Sequence, residues 1–148
     1  MNIFALDMDP KLAAQYHCDQ HVNKMILESA QMLSTVLGGE YAPTHSNHPC
    51  TLWVGKSQAN AYWLVQLCHA LNAECQARYG HRRDHKSMDI INSCYLSIDQ
   101  LPDLPITPFA LAMPDTLRNP DDPVQSYRDY YRLQKSFATW RNGKPYWM

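Results

Sequence analysis

Glycine is scarce in this chain, with 5 among 148 residues, while proline is plentiful at 10. The loops are therefore expected to be stiff rather than flexible. No apolar run approaches the ~18 residues that a membrane helix needs, so no membrane association is expected. No basic segment leads into an apolar stretch, and no signal peptide is expected. No sign of charge dominates: 13 Lys and Arg face 14 Asp and Glu, a formal net charge of −1 with 7 His in reserve. That balance argues against a protein that coats nucleic acid nonspecifically, but it leaves room for a local basic face. No Cys-x-x-Cys pair occurs, and the 5 cysteines are odd in number. This usage fits a reducing cytoplasm better than a disulfide scaffold. Internal repeats, low-complexity tracts and alternating strand–helix units are also missing.

What remains is ordinary globular composition, 45% hydrophobic and 18% charged, which excludes a disordered chain. The length fits one domain spanning 1–148. The expected fold is mainly α, a single compact domain of four to five helices with a proline-rich loop segment. Asp9-Pro10 reads as a helix cap and first helical residue, opening a short helix to about Tyr16. Asp19 is a second candidate cap. From His21 to Leu37 the apolar residues recur at helical spacing, and Gly38-Gly39 ends the run. Glu40 to Cys50 reads as a loop. A long helix is expected from about Lys56 to Tyr79, with Leu64, Leu67, Cys68, Leu71 and Cys75 as its apolar stripe and Gly80 as its stop. A shorter helix is expected near Ser87–Ser97. Prolines 102, 105, 108, 114, 120 and 123 forbid a continuous helix or central strand over 98–123. Asp122-Pro123 restarts a helix expected to run to about Trp140.

Several residue sets could carry chemistry. His21, Lys24, Glu28, Gln31 and Thr35 step by 3, 4, 3 and 4, so they share one helix face. An imidazole, an amine and a carboxylate on one stripe could form an acid/base or Schiff-base site. A solvated face with a Lys–Glu pair explains the same spacing. His17, His21, His45, His48 and Cys50 offer zinc-type donors, although their spacing matches no strong zinc pattern and the histidines could equally cap helices and brace loops. Cys18 and Cys50 lie near histidines and could be nucleophiles; Cys68 and Cys75 read as core. Arg78, Arg82, Arg83 and Lys86 gather at a helix junction. Arg128, Arg132 and Lys135 share a face of the last helix, with Tyr127, Tyr130, Tyr131 and Trp140 nearby. Cations interleaved with aromatics suit phosphates and unstacked bases, and a solvated helix face is the plain alternative.

Asp19-Gln20-His21, followed by Glu28 seven residues after the histidine, resembles the first helix of the phage pyrimidine-dimer DNA glycosylases, the endonuclease V family. The similarity is clearest over residues 1–31. The aromatic and basic tail from Thr139-Trp140-Arg141 to Trp147 is similar in kind. The MNIF start, YHCDQHV, THSNHPC and TPFALAMPD also resemble a set of phage-borne proteins of unassigned function, which supplies no activity.

The first resemblance implies a small α-helical glycosylase with β-lyase activity, acting on a damaged or modified pyrimidine in double-stranded DNA. A monomer that needs no cofactor is expected, in the cytoplasm, the host's if the chain is phage-encoded. An amine would attack C1′ of the nucleotide and form a Schiff base, with Glu28 stabilising charge and moving protons. An α-amine suits this because its ordinary pKa of about 7.7–8.0 leaves a useful fraction neutral near pH 7. The bulk of Asn2 should keep Met1 in place, so the nucleophile would be the Met1 amine; Lys24, one turn before Glu28, is a second candidate. His21 would support the helix or a phosphate, and Arg82, Arg83, Lys86, Arg128 and Arg132 are the expected DNA contacts. A non-enzymatic nucleic-acid-binding adaptor and a metal-dependent hydrolase built on the His/Cys set remain the alternatives. The first reading requires the Met1 nitrogen to lie in a cleft within a few ångströms of Glu28.

Overall fold

The computed structural model describes residues 1–134 and 136–148. Met1 to Leu6 is not helical, yet residues 2–6 are buried. Seven α-helices follow among the described residues. They are α1 (Pro10–Tyr16), α2 (Asp19–Val22), α3 (Lys24–Leu37), α4 (Pro49–Gly55), α5 (Gln58–Tyr79), α6 (Met88–Tyr95) and α7 (Pro123–Gln134). Short 3₁₀ turns occur at Ile98–Gln100 and Asp115–Leu117. The described residues include no strand, in agreement with the mainly α reading. No described helix is long and apolar enough to cross a membrane.

Helix α5 is the axis of the packing. Its 22 residues span about 33 Å at 1.5 Å per residue. It touches α1, α2, α3, α4 and α6, so it is apolar around much of its circumference. Leu64, Leu67, Cys68, Leu71 and Cys75 are all buried, as their stripe requires. The buried apolar residues form one cluster that reaches from Ile3 to Trp147.

The local signals explain most boundaries. The Asp9 carboxylate accepts from the Lys11 amide at 2.9 Å and Pro10 opens α1. Gly38 and Gly80 close α3 and α5 at φ 71° and 68°, the left-handed conformation that glycine adopts without steric cost. Next to Gly38, a Cβ on Gly39 would stand 2.6 Å from Ser34 Oγ and 2.7 Å from Cys94 Sγ, so α6 approaches α3 too closely for any side chain there.

Four boundaries depart from expectation. The run from His21 to Leu37 divides at Asn23 into α2 and α3. Asp19 does not cap α2; Cys18 holds that position, and the Asp19 carboxylate binds Arg78, Thr139 and the Arg141 amide instead. A helix over Pro49–Gly55 begins inside the expected loop of Glu40 to Cys50, because His48 Nδ1 accepts from the Cys50 amide and Pro49 takes the first turn. Helix α7 is described only to Gln134, and Thr139 to Trp140 are not helical.

The proline-rich segment is a clasp. Asn60, fully buried, donates to the Trp53 carbonyl and to Thr107 Oγ1 and accepts from the Thr107 amide. Trp53 Nε1 donates to the Thr107 carbonyl. Farther along, Tyr127 and Asn2 bond the backbone of residues 110 and 112. The C-terminal tail folds back over α1 and α2: Asp19 N donates to the Thr139 carbonyl at 2.7 Å, and Trp140 Nε1 to the Tyr16 carbonyl at 2.8 Å.

Candidate active site

The buried N-terminal segment delivers the chain's α-amine to the middle of α3. The Met1 nitrogen lies 3.2 Å from Glu28 Oε1. Met1's side chain is 3% exposed and that of Glu28 11% exposed, so the thioether and the carboxylate are largely withdrawn from water, while Met1 as a whole is half-buried. The distance required by the sequence reading is met. A solvated face does not describe this stripe: Glu28 is buried within it, although Lys24 is exposed. Lys24 Nζ stands 3.9 Å from the other carboxylate oxygen, with its side chain 66% exposed. The two candidate amines therefore flank one carboxylate, each near a different oxygen.

The surrounding cleft holds about 170 Å³. Met1, Asn2, Phe4, His21, Lys24, Met25, Glu28 and Tyr130 line it. His21 stacks on Phe4 with ring centroids 4.4 Å apart and planes 8° apart. Its Nδ1 is 2.7 Å from the Tyr131 hydroxyl. Burial holds the phenol of Tyr131 well above its ordinary pKa, so the hydroxyl keeps its proton at neutral pH. His48 faces the same region from the start of α4. Burial lowers its pKa first and the positive Met1 amine lowers it further, while Glu28 works in the opposite sense. The amine thus stands among Glu28, His21, Tyr130 and His48, drawn from four elements.

The zinc-type set does not come together. Among the described residues no three His, Cys, Asp or Glu side chains converge on a point that could hold a metal. His17 Nδ1 bonds the Ala13 carbonyl, His21 bonds Tyr131, and His45 bonds Thr44 Oγ1. His48 caps α4, and Cys50 Sγ donates to Asn2 Oδ1 at 3.5 Å. Each has a structural partner of its own. The cysteine-nucleophile reading fails on electrostatics. All five thiols are free and buried, and burial raises those of Cys18 and Cys50, the latter to about 11. Neither is a thiolate at neutral pH.

The basic residues divide into two groups. Arg82, Arg83 and Lys86 are exposed on the link between α5 and α6. Asn72 pins that link, donating to Asp84 Oδ1 and accepting from the His85 amide. A cleft of about 370 Å³ lies there, bounded by Arg82, Arg83 and, across it, Asn23. Asn23 precedes Lys24, so the α2–α3 junction borders this cleft and the amine cleft. Arg128 is used otherwise. Its Nε donates to the Leu6 carbonyl, and its terminal nitrogens donate to Asp7 and the Tyr146 hydroxyl. The Tyr16, Tyr146 and Trp147 rings lie 5.3–5.9 Å from its guanidinium carbon. It clamps the tail onto the N-terminal segment. Arg132 binds Asp129 and the Trp147 carbonyl and remains 41% exposed. Lys135 lies outside the described residues. Arg78 is also internal, its side chain 1% exposed between Asp19 and Glu74.

Sequence reasoning missed Asn2, Tyr130 and Tyr131 as parts of the site. Asn2 was weighed only for its bulk, and the tyrosines only as aromatics beside a basic face. Nothing in the local pattern shows that α7 closes over the N-terminus.

The sequence model of one protein family, described as pyrimidine dimer DNA glycosylase, matches residues 1–87. That span contains Met1, Lys24, Glu28 and the Arg82-Arg83 link but not the clasp or α7. No curated protein and no solved structure matches the chain.

Proposed function

The chain belongs to the pyrimidine dimer DNA glycosylase family, and on that premise we propose that it excises a damaged pyrimidine from double-stranded DNA with the Met1 α-amine as nucleophile. The observation that carries this is the Met1 amine 3.2 Å from the Oε1 of the buried Glu28. An amine and a carboxylate at hydrogen-bond distance are the two groups that Schiff-base chemistry needs.

The reaction runs as follows. The amine gives a proton to Glu28 and attacks C1′. The bond from C1′ to the base nitrogen breaks, and its electron pair leaves with the base, which takes the proton that the attacking nitrogen sheds. The C1′–O4′ bond then opens, O4′ receives a proton from Glu28, and the nitrogen closes a C1′=N double bond. Loss of a C2′ proton expels the 3′ phosphate oxygen, and water hydrolyses the imine to release the amine. Lys24 is the weaker candidate, since its side chain is 66% exposed and its amine stands farther from the carboxylate, at 3.9 Å. Its place at the cleft mouth suits a DNA phosphate.

Arg82, Arg83 and Lys86 would hold the duplex backbone on the far side of the α2–α3 junction. Arg128 is not carried into this interface, because its donors are spent inside the protein. The target must leave the stack to reach C1′. Phe137, 53% exposed with its ring 6.4 Å from His21, would fill the space left behind.

A labelled duplex carrying one cyclobutane pyrimidine dimer tests the reading. We expect incision at the dimer, none on the undamaged duplex, and loss of incision in Glu28→Gln with binding retained. Salt-sensitive binding without incision of dimer, abasic or modified-thymine duplexes would leave an adaptor instead.

A further inference from the structure

We propose that Asn2 is the positioning residue for the α-amine: its carboxamide sets where the amine stands relative to Glu28. The inference rests on the reading of Met1 as nucleophile.

Asn2 is 8% exposed, and its side chain bonds three separate parts of the fold. Nδ2 donates to the Ala112 carbonyl in the clasp at 2.9 Å. Oδ1 accepts from the Tyr127 hydroxyl of α7 at 3.1 Å and from Cys50 Sγ of α4 at 3.5 Å. It also accepts from the Ile3 amide at 2.8 Å. The Tyr127 hydroxyl lies 2.5 Å from the Ala110 carbonyl, so it ties clasp and carboxamide together. One planar peptide joins this anchored residue to Met1, so few rotations remain to place the amine. Burial of the Met1 side chain, with its sulfur 4.0 Å from Thr51 Oγ1, restricts those.

Only a carboxamide suits the site. It must donate on one side and accept on the other. A carboxylate would set an oxygen against the Ala112 carbonyl, and a hydrocarbon would strand both the carbonyl and the Ile3 amide. A carboxylate would also add a buried negative charge one residue from the amine. The titratable groups already facing the amine are Glu28, with Lys24 behind it, from α3; His21 from α2; His48 and Cys50 at α4; and Tyr130 from α7.

The test compares wild type, Asn2→Asp and Tyr127→Phe, each checked by intact mass for Met1 and by thermal melting for the fold. Borohydride trapping on an abasic duplex is followed against pH. Separately, without DNA, the α-amine is reductively methylated with ¹³C-formaldehyde and its methyl resonance is titrated. Asn2→Asp should trap at least tenfold more slowly at pH 7. Its rate–pH midpoint should move to higher pH, and the methyl titration should move with it. Tyr127→Phe should fall between the two. A folded, Met1-bearing Asn2→Asp with wild-type rates and titration overturns the proposal. Should Asn2→Asp not fold, a Tyr127→Phe profile identical to wild type overturns it. If wild type itself does not trap at Met1, the nucleophile reading fails, and the methyl titration still decides whether Asn2 governs the amine.

Discussion

His17 makes the fold sensitive to acid in a calculable way. It is fully buried behind Phe4, and its Nδ1–H donates to the Ala13 carbonyl at 2.7 Å. Nε2 has no hydrogen-bond partner among the described residues. A proton there would be a buried charge with no acceptor. Burial, opposed by the Ala13 bond and helped by nearby Arg78, accordingly lowers the pKa from 6.5 to about 4. The unfolded chain thus binds a proton more readily than the folded one. Stability is whole above pH 6.5 and is lost as pH falls from there toward 4. Between pH 7 and pH 5 the linkage amounts to about 2 kcal/mol. For a chain of this size that lowers Tm by about 4–8 °C. The control is His17→Asn, whose amide nitrogen occupies the place of Nδ1 and does not titrate. His48 and His85 have pKa values lowered by burial and contribute in the same direction in both proteins. The informative quantity is therefore the difference in slope. Calorimetry at half-unit steps from pH 7 to pH 5 should show wild type losing Tm faster than the variant by that margin. Parallel slopes would refute the argument.

Other consequences are as direct. Arg78→Leu removes a guanidinium that is 1% exposed and bridges Asp19, Glu74 and the Gln15 carbonyl; it should cost about 3–5 kcal/mol by denaturant titration. The double variant Arg82→Ala, Arg83→Ala should weaken duplex binding and lower the slope of log K against log salt by about 2, with the melting temperature unchanged. All five thiols should resist Ellman's reagent in the native protein and react in denaturant, since each is buried; one fast native thiol would contradict the packing.

Much of this was legible in the sequence, and the gaps have physical causes. The Asp9-Pro10, Gly38 and Gly80 signals act within one helical turn, so they can be read locally. Asp122 belongs with them, its carboxylate accepting from the Gln125 amide at 3.1 Å. Helix α4 was missed because its cap is a histidine, a residue whose side chain seldom plays that part. Asp19 reads as a cap, but Arg78 lies 59 positions away and claims its carboxylate. The clasp is set by bonds such as Asn2 to Ala112, 110 residues apart, and no local pattern encodes those. The site shows the same division. The shared face of Glu28 and Lys24 follows from helical spacing, and the role proposed for the carboxylate from the resemblance. That the amine reaches Glu28 depends on tertiary packing, as does the diversion of Arg128 to the tail.

The central claim is that the Met1 α-amine attacks the sugar with Glu28 moving the proton. Its most direct test is to trap the protein on an abasic duplex with borohydride, digest the adduct and map the cross-linked peptide by mass. The account predicts a secondary amine at the Met1 nitrogen and no adduct with Glu28→Gln. An adduct on Lys24, or none from folded protein whose N-terminal residue is Met1, would contradict it.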